Sequence, residues 1–165
     1  MQDLNLFLLM NTNNKKRPEW SRMVKLAIVS AIIITLDSCA HESTRELSPN
    51  FSESGITRMK SFYVRRHADD DYKLGEEITS QLQVMGYQAI CGSTGSPPVK
   101  VDAVITYMDK WTWDMTMYLL SLDVQLRQPG SDATLATAKT LRTSAVRRSQ
   151  KEMVRETLAK LLEDS

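Results

Sequence analysis

The clearest period-two pattern in the chain runs from Met115 to Arg127. Thr116, Tyr118, Leu120, Leu122, Val124 and Leu126 alternate there with Ser121, Asp123, Gln125 and Arg127, as expected of a strand with one dry face and one wet face. Ala103 to Trp113 alternates in the same way through Ala103, Ile105, Tyr107, Trp111 and Trp113, and Asp114 begins the turn between the two. Gln128–Pro129–Gly130–Ser131–Asp132 predicts a hairpin loop, and Leu135 to Thr143 the strand that returns from it. Met59 to Arg66 and Tyr87 to Cys91 predict two further strands. Between them the period changes. Leu74, Ile78, Leu82 and Met85 make one apolar stripe of a helix running from about Asp70 to Met85, with Gly86 placed just past its end. Gly75 inside that helix costs about 1 kcal/mol of propensity, which suits a close approach to the sheet. Ser149 and Glu152 match a capping box, and Val154, Thr157, Leu158, Leu161 and Leu162 form the stripe that follows. The order β-α-β-β-β-β-α predicts an α+β two-layer sandwich over residues 57–165, with a mostly antiparallel sheet and two helices on one face.

The N-terminal third has a different pattern. Leu26 to Leu36 is apolar, follows Lys25, and ends in Leu36-Asp37-Ser38-Cys39. An 11-residue apolar run is too short for a bilayer core that needs roughly 20 residues. It has the form of a cleaved signal and resembles a bacterial lipoprotein signal peptide, in which the cysteine takes the lipid and becomes the first mature residue. Asp37 departs from the small uncharged residue usual at such sites. By the same resemblance, Ala40 after the cysteine implies release to the outer membrane. Met23 opens this pattern as initiator, and 1–22 is expected to be an extension outside the exported protein. Residues 23–38 are then the signal peptide. Residues 39–56, rich in Ser, Glu, Pro and Asn, are expected to be the lipidated Cys39 and a flexible tether.

Charge narrows the partners. The chain carries +1, and residues 1–38 hold five Lys and Arg against three acids, leaving the remainder at −1. That balance gives no field to concentrate nucleic acid, and no nucleic-acid partner is expected. Of the two cysteines, a lipidated Cys39 would leave Cys91 unbridged, as a core thiol.

Candidate chemistry is sparse. His67 beside Asp69, Asp70 and Asp71 invites a metal reading, but one histidine is a poor ligand set and a helix start accounts for the aspartates. No G-x-S-x-G presents a nucleophile, and the glycines at 92 and 95 lack the following Gly-Lys-Ser/Thr of a phosphate loop. No catalytic residue, metal or cofactor is expected beyond the covalent lipid on Cys39. Trp111-Thr112-Trp113-Asp114-Met115 is the most distinctive stretch, with Met117 following. Its aromatics either pack across strands under a helix or form an exposed platform for a partner or a glycan. Arg142, Arg147 and Arg148 are either solvated surface or a small basic patch.

Asp102-Ala103-Val104-Ile105-Thr106-Tyr107, Trp111-Thr112-Trp113-Asp114, the strand from Tyr118 to Arg127 and Glu152-Met153-Val154 resemble a group of small proteobacterial lipoproteins. More distantly, the order of elements is similar to envelope lipoproteins of the CsgG and penicillin-binding-protein-activator (LpoB) type. The resemblance implies a lipid-anchored protein on the periplasmic face of the outer membrane. The resemblance carries no activity with it, and the leading expectation is a non-enzymatic binding or scaffolding role toward an envelope protein or a peptidoglycan-related component. The alternative is a small-ligand or glycan carrier using Trp111 and Trp113.

Overall fold

The computed structural model describes residues 41–162 apart from 94, 96 and 98, with the side chain of 41 also left aside. The signal peptide, Cys39 and the extension before Met23 lie outside the described residues.

Among the described residues six strands form one sheet: β1 (His41–Leu47), β2 (Ser61–Arg65), β3 (Gln88–Gly92), β4 (Ala103–Asp114), β5 (Thr116–Arg127) and β6 (Thr134–Arg142). Their spatial order is β1-β6-β5-β4-β2-β3. The chain also contains a one-turn helix α1 (Glu53–Ile56), helix α2 (Leu74–Val84), a 3-10 turn (Ser144–Val146) and helix α3 (Gln150–Leu162). The fold is α+β, as expected. β2 pairs in parallel with both β3 and β4, and every other pairing is antiparallel, so the sheet is mixed.

α2 and α3 cover one face. Leu74, Ile78 and Leu82 of α2 and Met153, Val154, Leu158, Leu161 and Leu162 of α3 are buried against alternate strand residues. Those include Phe62 and Val64, Ile105 and Tyr107, Leu122, Val124 and Leu126, and Ala136 and Ala138. Each large aliphatic side chain buried this way contributes roughly 1.5–3 kcal/mol. The small residues on β6 let α3 approach, and a buried pair marks the contact: Thr157 donates to the Met153 carbonyl at 2.8 Å and lies 2.9 Å from the Thr140 hydroxyl. The capping box forms as predicted. The Ser149 N–H and hydroxyl donate to Glu152 Oε2 at 3.0 and 2.8 Å, and the Glu152 N–H donates back to Ser149 Oγ at 3.2 Å. Gly86 lies at φ 91° past α2, in the left-handed region that ends a helix.

Of the segment 39–56, expected to be the lipidated cysteine and a flexible tether, the described residues from 41 onward contribute secondary structure instead. His41–Leu47 pairs along its whole length with β6. Its polar sequence hid this. Ser43, Arg45 and Leu47 are half-buried while Glu42, Thr44 and Glu46 are exposed, so the alternation is real but carried by polar side chains. Arg45 supplies the inner face as an apolar stem whose head pairs with Glu53 of α1 at 3.3 Å.

The β3–β4 connection returns the chain past β2, because both flanking strands run parallel to it. This explains a second, smaller cluster on the face opposite the helices, where Tyr63, Val101 and Val104 are buried together. Arg65 closes it, donating to the Gly95 carbonyl at 2.8 Å and pairing with Asp132 at 3.1 Å.

α2 begins at Leu74 rather than near Asp70, because Asp70 caps it from four residues upstream. Its carboxylate accepts the N–H groups of Leu74 at 2.7 Å and Gly75 at 2.9 Å, and the Tyr107 hydroxyl at 2.9 Å. Burial and the bond to Asp70 raise the Tyr107 phenol above its ordinary range. The His67 ring N–H donates to the Tyr107 carbonyl, and the two rings meet edge to face at 5.0 Å. His67 and Asp70 are thus occupied in joining α2 to β4. Burial pushes the half-buried Cys91 thiol up, against the opposing effect of a bond with Thr79.

A Cβ on Gly75 would lie 2.8 Å from the Tyr107 hydroxyl and 3.2 Å from Cys91 Sγ. Gly75→Ala should therefore destabilise by about 1–3 kcal/mol, overpacking outweighing the roughly 1 kcal/mol gained in helix propensity; the urea midpoint checks this. Asp102 gives a pH prediction. It accepts the Lys60 N–H at 2.8 Å, the Ser61 hydroxyl at 2.8 Å and the Ser61 N–H at 2.9 Å, which hold its carboxyl below the usual range. A depressed folded-state pKa stabilises above the unfolded value, and that stability is lost as pH falls through the folded one. Asp102→Asn should lower stability at neutral pH and flatten its loss on acidification, read as urea midpoints against pH.

Candidate binding surface

β4 and β5 are each 12 residues long, and β2 and β3 only five. β2 pairs with β4 only through Ala103–Ile105, and β6 pairs with β5 only from Ser121 onward. The far half of the β4–β5 hairpin therefore leaves the sheet as a two-stranded ribbon. Such ribbons are marginal alone in water, so this one needs outside support.

Register shifts between Lys110 and Trp111: Lys110 pairs with Ser121, but Trp111 pairs with Leu119, leaving Leu120 as the extra residue. Bulges of this kind add twist and re-aim side chains. The predicted inward set Tyr118, Leu120, Leu122 is corrected accordingly. Leu119 is buried with Leu122, and Leu120 and Tyr118 turn away. An unbroken period-two reading cannot see this slip.

Two contacts outside the hairpin hold the ribbon. On one side Tyr72, in the turn before α2, stacks on Trp111 with centroids 3.8 Å apart and planes at 22°. The Trp111 indole N–H donates to Asp109 Oδ2 at 2.6 Å. On the other side Arg147, just past the 3-10 turn, donates to the Asp114 carbonyl at 2.7 Å, to Asp114 Oδ2 at 2.8 Å and to Thr116 Oγ1 at 3.0 Å. Its guanidinium also lies 4.4 Å from the Tyr118 ring centroid, a cation–π contact worth about 0.5–1 kcal/mol at an exposed site.

The tip beyond these clamps is apolar and open. Trp113 is 70% exposed, Met115 85% and Met117 46%. Trp113 pairs across the ribbon with Met117, and the Asp114–Thr116 pair leaves Met115 alone at the reversal. Met115 has φ 59°, the left-handed region that costs a non-glycine residue roughly 1–2 kcal/mol.

The structure thus divides the predicted stretch. Trp111 is committed to Tyr72 and Asp109, Asp114 to Arg147, and Trp113, Met115 and Met117 are free to touch something else. The basic patch does not assemble: Arg142 is buried against Glu156, Arg147 grips the ribbon, and Arg148 lies 3.7 Å from Glu152. Tyr72 and Arg147 were not legible as ribbon supports, since neither belongs to a periodic pattern that includes the hairpin. At the other end of the sheet a shallow groove is lined by Ser61, Gln88, Ile90, Val99 and Lys100, among others. Among the described residues, no group of three His, Cys, Asp or Glu side chains could hold a metal ion.

No family model and no curated protein matches the sequence. Solved structures do match the fold. PelC from Paraburkholderia phytofirmans, a dodecamer, aligns at a TM-score of 0.52 with 12% identity over 76% of this chain and 99% of its own. A point variant of the same protein aligns at 0.52 with 13% identity and the same coverage. A minor lipoprotein from Acinetobacter baumannii aligns at only 0.30, with 12% identity over 65% of this chain and 97% of its own. At these identities the likeness to PelC is one of fold.

Met115→Gly relieves the strained φ while removing the most exposed apolar side chain. It should raise stability by up to about 1 kcal/mol, read as the urea midpoint; an unchanged or lower midpoint would contradict the strain. Arg147→Gln should leave global stability within about 1 kcal/mol, as for an exposed pair, while amides from Trp113 to Tyr118 exchange faster by hydrogen–deuterium mass spectrometry.

Proposed function

We propose that this protein is a lipoprotein of the outer membrane, held on its periplasmic face by acyl chains on Cys39. It acts there as a non-enzymatic binding or scaffolding component of the cell envelope. The observation that carries this reading is the clamped ribbon. Tyr72 and Arg147 hold a strained tip whose Trp113, Met115 and Met117 are open, an arrangement that supports a contact role for these side chains. The apolar run from Leu26 to Leu36 ending at Cys39 supports the anchor. None of the described helices is long and apolar enough to cross a membrane. PelC, whose fold this chain shares, is a dodecamer, which supports a role through assembly. The proposed partners are the membrane, through Cys39, and an envelope protein or a peptidoglycan-related component. The alternative, a small-ligand or glycan carrier using Trp111 and Trp113, is less favoured because Trp111 already stacks on Tyr72.

Cys39→Ala in the full chain should abolish lipid labelling and remove the protein from the outer-membrane fraction. A variant that still sediments with that fraction would contradict the anchor.

A further inference from the structure

The ribbon tip and the start of β1 lie at one end of the sheet. His41 pairs with Arg142, the last residue of β6. The chain then passes through the 3-10 turn to Arg147, which holds Asp114 and Thr116 at the tip. Because β1 begins at His41, there is no long tether between it and Cys39. The two peptide units separating them span at most about 7 Å in any conformation.

The ribbon extends farther than that. β5 residues Thr116–Leu120 lie ahead of Ser121, which is paired with Leu141 beside the end of β6. Five strand residues rise about 17 Å. With the strands along the membrane normal, the tip passes the deepest position open to Cys39 by several ångströms.

We infer that the occupant of the tip is the lipid bilayer itself: Trp113, Met115 and Met117 enter the interfacial layer of the membrane that holds the Cys39 lipid. The inference rests on the lipid-anchor reading and specifies where its apolar surface goes. Three observations point to lipid. The start of β1, two residues from Cys39 in sequence, and the tip lie at the same end of the sheet. An indole flanked by flexible thioethers suits the headgroup–acyl boundary, where tryptophan is enriched and apolar side chains bury about 5–10 Å deep. Charge is also compatible. Asp114 is neutralised by Arg147 at 2.8 Å, and Asp109 and Asp114 of the hairpin are balanced by Lys110 and Arg147. That balance leaves no net charge at the tip to repel zwitterionic headgroups. The second anchoring point fixes orientation, so the groove near Ile90 and Val99, at the opposite end of the sheet, faces away from the membrane.

The test uses the full chain, expressed with its leader in a diderm bacterium, purified and reconstituted into phosphatidylcholine vesicles brominated near the acyl-chain midpoint. In a Trp20→Phe background, Trp111→Phe leaves Trp113 as the reporter, and Trp113→Phe leaves Trp111. Trp113 emission should shift to the blue and fall by about half or more, as for an indole at the interface, with Trp111 emission nearly unchanged. Mass spectrometry of the same sample reads acylation of Cys39. Acylated protein with unquenched Trp113 overturns the inference and leaves the anchor reading standing. An unacylated Cys39 overturns the anchor reading, and Trp113 quenching on vesicles still decides the tip. A diazirine residue at position 117, photolysed in cell membranes, should yield lipid adducts; a discrete protein adduct would overturn the bilayer as occupant.

Discussion

The unequal length of the strands governs this molecule. β4 and β5 run for 12 residues, but β2 and β6 pair with only the near half of each. That half is the centre of the sheet and supplies Ile105, Tyr107, Leu122, Val124 and Leu126 to the core. Among the described residues the remainder has no neighbouring strand and no helix over its tip, so it is not stabilised as the core is. A bulge at Leu120 marks the transition, and two side chains from distant segments take over the work of a sheet. Tyr72 reaches from the turn before α2 and Arg147 from the turn before α3. Each helix approach thus brings one clamp, and the position of the ribbon depends on both helices being seated.

Seating those helices involves polar contacts as much as apolar ones. Asp70 ties the first turn of α2 to Tyr107 of β4, and Gly75 allows that tyrosine to pass under the helix. Thr157 and Thr140 meet at the contact between α3 and β6. Buried polar pairs of this kind add little net free energy when satisfied and cost 1–3 kcal/mol when one member is lost. They favour one docking geometry over its neighbours. The exposed end of the structure inherits its geometry from these buried contacts.

Much of the fold could be read from the sequence because the core-facing residues are aliphatic and obey one period at a time. Leu74, Ile78 and Leu82 made α2 legible, Leu122, Val124 and Leu126 made β5 legible, and Ser149 with Glu152 marked the start of α3. The failures have specific causes. β1 was hidden because its inward residues include Ser43 and Arg45, whose burial depends on β6 and α1. The slip at Leu120 was hidden because a bulge keeps the residues apolar and changes only which way they face. At the candidate site, the exposed trio Trp113, Met115 and Met117 was visible as a cluster. Its division from Trp111 was not, since that depends on Tyr72, some 40 residues earlier in the chain.

β1 also changes the functional picture. A flexible tether would let the domain sample many orientations, whereas a strand beginning at His41 keeps the sheet end within about two residues of the proposed lipid. In the proposed arrangement the domain has two membrane contacts, one covalent and one apolar, and a fixed outward side. The most direct measurement of this arrangement is collisional accessibility of nitroxide spin labels on the vesicle-bound lipidated chain, at positions 113, 117, 90 and 99. Relaxation at 113 and 117 should be enhanced by oxygen and shielded from a water-soluble nickel chelate, with the reverse at 90 and 99. Equal exposure to the chelate at all four positions would contradict a membrane-seated ribbon.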